Sequence, residues 1–387
     1  MRIAFIGQKG IPAFSGGVER HVEEISARLA ERGHEVFVYV RNNYTDKKMK
    51  KYRGVNLIHL SSISTKNLDT ISHTFLATIH AIFQKYDIVH YQSIGPASLS
   101  WLYKIFRKNT PLVATFHCQD YYHQKWGFWA SNYLRFGEFV TCNIPDKTIV
   151  VSKKLQKWAK LSHAATAEMI TNGADINEYP GSDKLARWDL KEKRYILYVG
   201  RFIKHKGIHY LIEAFKQLEN TNKSPNNFKL AIIGDGFHSD DYVKYVKFIS
   251  EGRKNIIFTG SQYGENLKQL YSNAYIFVQP SETEGLSIAL LEAMSHGTAV
   301  LTSDIEENIE VINGAGFSFE KGNIEDLKEK LAYLLNNPQL VGKLGILCQE
   351  RVKNEYGWDE AIRKTERIYN ELLHLKKKKL YEREVEI

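Results

Sequence analysis

The chain has 387 residues, too many for one ordinary hydrophobic core and enough for two domains of roughly 150 to 200 residues each. Its apolar and charged fractions, 43% and 25%, are those of a globular protein, and no run of about 18 apolar residues offers a membrane span. The formal net charge of +9 asks for an anionic partner, and the lack of helix-turn-helix, zinc-finger or RNP-type signatures speaks against nucleic acid, leaving phosphorylated substrates or an anionic membrane surface.

Arg2 followed by Ile3 to Ile6 is too short an apolar stretch for a signal peptide and is expected to be a first strand. Cys118, Cys142 and Cys348 have no metal-site spacing, fit a reducing cytoplasm, and are expected to be buried small residues. The glycine-rich turn Gln8 to Gly17 carries no Gly-x-Gly-x-x-Gly, which argues against a dinucleotide dehydrogenase. Gly16 and Gly17 stand directly before a helix expected from about Val18 to Arg32, so their N–H groups are open to an anion; a flexible surface loop is the other reading. Strands are expected at His34 to Val40 and Val55 to Leu60, with the basic loop Lys47 to Arg53 between them. Further strands at Ile88 to Tyr91, Leu112 to His117 and Thr148 to Val151, each separated by a helical stretch, imply a doubly wound parallel sheet.

His117 and Asp120 follow the Leu112 strand, at the carboxyl strand end where open α/β sheets bind ligands. The aromatic stretch from Tyr121 to Trp129, then Tyr133, Phe136 and Phe139, includes Lys125 and Trp126. It suits an acceptor groove, a lipid interface, or a helix packed on its own sheet. Tyr179 to Lys193, with Pro180-Gly181-Ser182 and little apolar periodicity, is the expected linker.

The alternation restarts with strands at Tyr195 to Val199, Leu230 to Ile233, Ile256 to Thr259, Tyr275 to Val278 and Ala299 to Thr302. After the first of these, Gly200-Arg201 and Lys206-Gly207 set cations beside a helix start, against the helix dipole, a conflict that a bound anion resolves. Ile232-Ile233-Gly234 is a tight turn able to approach a nucleotide. Pro280 to Met294 is the most informative stretch: Ser281 to Ser287 is a strand-to-helix turn, Gly285 admits a close ligand, Ser287 is a good N-cap, and the helix start is an anion site. Glu284 in the turn and Glu292 in the helix flank that site and suit hydroxyl groups, so the implied ligand carries phosphate and several hydroxyls; solvated helix-start acids are the plainer alternative. Trp358 to Leu375 is an amphipathic helix, followed by the basic tail Lys376 to Lys379, read as a fraying helix end.

Three of these stretches together carry a family resemblance: Gly16-Gly17-Val18-Glu19-Arg20-His21, the Gly-Arg-x4-Lys-Gly of Gly200 to Gly207, and Glu284-Gly285-Leu286-Ser287 running on to Glu292. In this order they resemble the Glu-x7-Glu glycosyltransferases of family four, group 1 type. The resemblance implies the α/β GT-B fold, two Rossmann-like domains with a cleft between them and a C-terminal helix crossing back to the N-domain. It divides the chain into residues 1–180 for the acceptor, 190–355 for the nucleotide sugar, and 356–387 as the returning helix and basic tail. It further implies that Arg201 and Lys206 clamp the diphosphate, Glu292 holds the ribose, and Glu284 and His117 hold sugar hydroxyls. Gly16, Gly17, Gly200, Gly234, Gly285, Leu286 and Ser287 would line the donor, and Asp120, Lys125 and Trp126 the acceptor.

The implied reaction is retaining transfer of a sugar from a nucleoside-diphosphate sugar to a glycan or lipid-linked acceptor, with no cofactor. No Asp-x-Asp is present to hold a metal, so the cations are expected to replace one. Leu286-Ser287 stands where many relatives have Phe-Gly, which leaves the donor sugar open. A nucleotide-sugar epimerase or phosphorylase and a non-catalytic sugar-binding subunit are the alternatives. A cytoplasmic protein, peripheral on the inner membrane face, is the expected location.

Overall fold

Ile3 to Ile6 and Ile276 to Val278 are runs of apolar residues, many β-branched, without polar alternation, a pattern for strands covered on both faces, and every one of these residues is fully buried. A computed structural model describes residues 1–65, 68–122, 127–176, 181–220, 228–236 and 239–385. The chain forms two units, Met1–Asn172 with Trp358–Ile387, and Gly173–Gly357.

In the first unit the elements run β1 (Arg2–Ile6), α1 (Gly17–Glu31), β2 (Glu35–Arg41), β3 (Lys51–Tyr52), β4 (Val55–Leu60), α2 (Leu68–Ile82), β5 (Ile88–Gln92), α3 (Ile94–Ala97), α4 (Ser100–Phe106), β6 (Leu112–Phe116), α5 (Phe128–Asn143), β7 (Lys147–Val150), α6 (Lys153–His163) and β8 (Ala167–Met169). The sheet order is β3-β4-β2-β1-β5-β6-β7-β8, parallel throughout except for the β3–β4 hairpin. The second unit runs β9 (Tyr195–Val199), α7 (Ile208–Asn220), β10 (Lys229–Ile233), α8 (Asp240–Ile249), β11 (Ile256–Gly260), α9 (Gly264–Ser272), β12 (Ile276–Gln279), α10 (Ile288–Ser295), β13 (Ala299–Ser303), α11 (Glu306–Ile312), β14 (Phe317–Phe319), α12 (Ile324–Leu335) and α13 (Pro338–Glu355). Its strands pair in the order β11-β10-β9-β12-β13-β14, all parallel. The last helix, α14 (Trp358–Val385), belongs to the first unit, where it packs on α1. Trp358, Ile362, Ile368 and Tyr369 are its buried side, and each such side chain contributes about 1.5–3 kcal/mol by leaving water.

The structure corrects the sequence reading at four places. Lys47 to Arg53 is not all loop: Lys51–Tyr52 pairs antiparallel with Val55 and Asn56, because Arg53 (φ 43°) and Gly54 (φ 80°) take the positive φ values of a two-residue hairpin turn. Helix α14 does not fray at Leu375 but continues to Val385, an alternation of Lys and Glu with good helix propensity. The expected linker is in part a packed element. Residues Asp183–Trp188 form a 3-10 turn with Leu185 buried, Gln269 on α9 bonds Asp183, and the second unit begins at Gly173, where Ala174 N–H donates to the Tyr356 carbonyl. Cys142 and Cys348 are buried as expected, whereas Cys118 is half-buried and donates to Asp120.

Candidate functional site

In the second unit, strands β9, β10 and β11 step one way across the sheet and β12, β13 and β14 the other, so the order reverses between β9 and β12. Loops leaving the carboxyl ends of two such strands part and leave a crevice. The residues singled out in the second half of the chain gather around it. Lys206 follows β9 and Glu284 follows β12, and Lys206 Nζ lies 2.5 and 2.7 Å from the two carboxylate oxygens of Glu284. Ser281 Oγ donates to Glu284 at 2.6 Å, so the carboxylate is held from two sides. Arg201 is half-buried in the same loop as Lys206, and no described carboxylate pairs with its guanidinium. The Tyr198 phenol beneath is pushed well above its usual pKa by burial first, then by neighbouring Tyr242 and Glu284, with Arg201 opposing.

Backbone contact fixes these loops. Gly207 has φ 69°, and a Cβ there would stand 2.0 Å from the Pro280 carbonyl oxygen, so only glycine lets the β9 loop lie against the β12 loop. Glu282 N–H donates to the His205 carbonyl at 2.8 Å and Tyr210 donates to the Glu282 carboxylate at 2.6 Å, closing the same seam. Burial, and after it the Glu282 carboxylate, raises the Tyr210 pKa to about 12. Gly234, at the end of β10, is equally constrained: φ is 132° and a Cβ would meet the Gly200 carbonyl oxygen at 1.9 Å.

Helix α10 starts at this crevice. Ser287 is its N-cap, accepting from Leu290 N–H at 3.3 Å while donating to Gln279 Oε1 at 2.8 Å. Gln279 in turn bonds Asn308, Asn308 bonds the Ser303 carbonyl, and Ser303 Oγ bonds the Ser281 carbonyl at 2.5 Å. The turn bearing Glu284, Gly285 and Leu286 is therefore locked at both ends by a buried polar ring, and Gly285 and Leu286 are themselves buried. Glu292, further along α10, is half-buried and accepts from Tyr271 at 3.2 Å.

The first unit has its own order reversal, between β1 and β5. Gly16, with φ 98°, caps α1 beyond β1, and Gly17 is the first helical residue. The loop before them is tied down by Glu19, which accepts from Lys9 N–H at 3.1 Å, and by Tyr44, whose hydroxyl accepts from Phe14 and Ser15 N–H at 2.7 and 2.9 Å. His117 is buried beyond β6 with Nε2 2.8 Å from Gln92 Oε1, and burial, then His21 and His90, holds its pKa well below the usual range. Asp120 begins a 3-10 turn and is half-buried; Lys125 and Trp126 lie outside the described residues.

Sequence reasoning missed the company His117 keeps. His21 from α1 meets it edge to face at 4.7 Å and bonds Asn172 at 2.8 Å, while His90 from β5 bridges Thr115 and Tyr369, each at 2.7 Å. Burial lowers the His21 pKa to about 4 and the His90 pKa well below normal. His21 was legible within Gly16 to His21; His90 carried no signal, being one polar residue inside an apolar strand. Ser93, just after β5, holds φ 70°, uncommon for a residue with a side chain, and was not legible either.

Two family models match in succession. Residues 15–178 match Glycosyltransferase Family 4 and residues 184–354 match Glycosyl transferases group 1, together taking in most of the chain. The chain belongs to the group 1 glycosyltransferases. An uncharacterized glycosyltransferase of Methanocaldococcus jannaschii is 26% identical over 95% of this chain and 98% of its own length. Sucrose-phosphate synthase from Thermosynechococcus elongatus superposes with TM-score 0.83, at 21% identity, over 97% of this chain and 99% of that one. Anabaena HepE in complex with UDP-glucose does so with TM-score 0.78, at 18% identity, over 96% of this chain and all of that one (100%). These likenesses establish the GT-B fold of this glycosyltransferase.

Proposed function

We propose that this glycosyltransferase moves a sugar, with retained anomeric configuration, from a nucleoside-diphosphate sugar to a hydroxyl of a lipid-linked or cell-surface glycan precursor, and that it does so without a divalent metal. The observation that carries the reading is the Lys206–Glu284 pair at the β9/β12 reversal, beside Arg201 and the start of α10. A diphosphate entering there offers Lys206 a stronger partner than Glu284, and Arg201 supplies a planar fork for a second phosphate oxygen. Glu284, released from the ammonium, is then an acceptor for sugar hydroxyls. The backbone N–H groups at the start of α10 add a partial positive charge at the same place. Charge growing on the departing diphosphate would thus meet cations and backbone donors already in position, which is electrostatic catalysis. Glu292, held by Tyr271, takes the ribose in this reading. His117 takes a sugar hydroxyl, neutral because burial disfavours its charged form. The UDP-glucose held by HepE supports a nucleotide-sugar donor. Retention rests on the Glu-x7-Glu resemblance.

The reading is tested by screening uridine, guanosine and adenosine diphosphate sugars for thermal stabilisation, then following nucleotide release with and without hydroxyl acceptors. Stabilisation by one donor, and release that depends on acceptor, are expected. Conversion of the donor sugar with no acceptor present would instead mark an epimerase.

A further inference from the structure

We propose that the helical layer formed by α2, α4, α5 and α6 is a face that docks on an anionic lipid bilayer. The strand order places this layer. From β1 the chain steps through β2 to β4 on one side, whereas from β5 it steps through β6 and β7 to β8 on the other. With right-handed crossovers, α1 lies on one face of the sheet and α2, α4, α5 and α6 on the opposite face. Neighbours in that layer pack on one another in the order α2, α4, α5, α6.

A helix layer facing water ordinarily turns polar side chains outward. This one turns out large apolar ones: Phe75 and Phe83 on and just after α2, Ile105 and Phe106 on α4, Trp129 and Phe136 on α5. Trp129 is 84% exposed and Phe83 79%, values at which burial in the fold does not account for the side chain. Large apolar side chains exposed on neighbouring helices of one layer point to an interaction site.

Charge selects the occupant. The four helices carry two carboxylates between them, and both point inward: Asp69 is buried against Arg41 at 2.6 Å, and Glu138 is buried between Trp158 Nε1 at 2.9 Å and His163 at 2.8 Å. Their exposed charges are all positive, Arg135 on α5 and Lys153, Lys157 and Lys160 on α6. An apolar, aromatic face whose helices expose cations and no carboxylate, with Asp146 beyond α5 paired to Lys104 of α4, matches the headgroup region of an anionic bilayer, where indole and phenyl rings sit at the interface and each basic side chain adds attraction. No described helix is long and apolar enough to cross a membrane, so attachment would be peripheral.

The same topology sets aside the basic segments that composition alone suggests. Arg53, ending the Lys47 to Arg53 segment, is paired with Glu24 and Glu31 of α1, and α14, which carries the basic tail, packs on α1 as well. Both belong to the other side of the sheet. The docking face goes beyond the transfer reading and does not depend on it, since membrane binding is measured without a reaction.

The test is flotation of the full chain with vesicles of phosphatidylcholine alone and of phosphatidylcholine with phosphatidylglycerol, at low and high salt. Binding to the anionic vesicles only is expected, weakened by salt. Trp129→Glu with Phe136→Glu should reduce it about tenfold or more, and Lys157→Glu with Lys160→Glu by at least about fivefold for each cation lost. Lys47→Glu with Lys48→Glu should leave it unchanged. All six positions are exposed on helices or in a loop, and unchanged circular dichroism and melting confirm folding. Absence of binding, binding to both vesicles alike, or loss through Lys47 and Lys48 in place of the helices would overturn the proposal. So would a stable dimer in sedimentation that Trp129→Glu dissociates, which would make the face an interface between copies.

Discussion

Lys206 and Glu284 are 78 residues apart in sequence and joined at 2.5 and 2.7 Å by both carboxylate oxygens, across the point where the second sheet reverses its strand order. The pair is largely withdrawn from water, so the cost of desolvating both charges offsets much of their attraction and its net contribution to stability is modest. Its consequence is chemical: a cation and an acid are stored in contact, ready to be divided between phosphate and sugar. Lys206→Ala and Arg201→Ala should each lower turnover by roughly 10² or more, the effect of losing one electrostatic group at a transition state. Melting temperatures should stay close to wild type. Steady-state rates at saturating donor check this, and unchanged turnover in both variants would remove the clamp.

Glu292 makes a ground-state contact in this account, so its loss should appear in binding. Glu292→Gln should weaken nucleoside diphosphate and intact donor by similar factors. Titration calorimetry decides it, and equal affinity for the free nucleoside diphosphate would sink the ribose assignment.

Gly234 should tolerate no side chain. Its φ of 132° and a Cβ position 1.9 Å from the Gly200 carbonyl oxygen require the backbone to move, so Gly234→Ala should cost about 3 kcal/mol or more. Ser287→Ala loses a helix cap and one link of the Gln279–Asn308–Ser303 ring, and should cost on the order of 1–2 kcal/mol. Urea denaturation measures both; the larger effect should belong to Gly234.

His21 makes stability depend on pH. Burial lowers its folded pKa from 6.5 to about 4. Between those values the unfolded chain binds a proton that the folded chain does not, so stability falls as pH drops from about 6.5 towards 4, with no contribution to the slope above that window. The groups facing His21 are Asn172, His117 and Trp358, none of them charged while His117 stays neutral. His21→Gln should flatten the urea midpoint against pH between 6.5 and 5 relative to wild type, and an unchanged slope would contradict the assignment.

Most of the sheet core was legible because strands covered on both faces are written as short unbroken apolar runs. Val55 to Leu60 and Tyr195 to Val199 have in the structure the bounds they have in the sequence. The strands β3, β8 and β14 were not, being two or three residues long and defined by pairing partners that no local pattern encodes. The second-unit site was legible for a related reason. Gly200, Arg201, Lys206, Glu284 and Ser287 sit in strand-end turns where polar residues and glycines interrupt apolar runs, and Glu292 lies in the helix that follows the second of these turns. What the sequence could not convey is pairing: that Lys206 meets Glu284, that Gly207 lies under Pro280, or that His21, His90 and His117 share one buried cluster. Nor could it place the exposed aromatics of α5 with those of α2 and α4, because helix adjacency follows from strand order. The pooled basic segments were misleading for the same reason, since Arg53 is balanced by acids on a helix 22 to 29 residues away.

Metal-free transfer with retention is the central claim, and one measurement reaches it most directly. With the donor found by stabilisation and its matching acceptor, the reaction is run in excess EDTA and the product is followed by proton NMR. The account predicts undiminished transfer and an anomeric coupling that matches the donor's. Activity that EDTA abolishes and Mg²⁺ restores would contradict the cation clamp of Arg201 and Lys206, and an inverted product would contradict the assignment of Glu284 and Glu292.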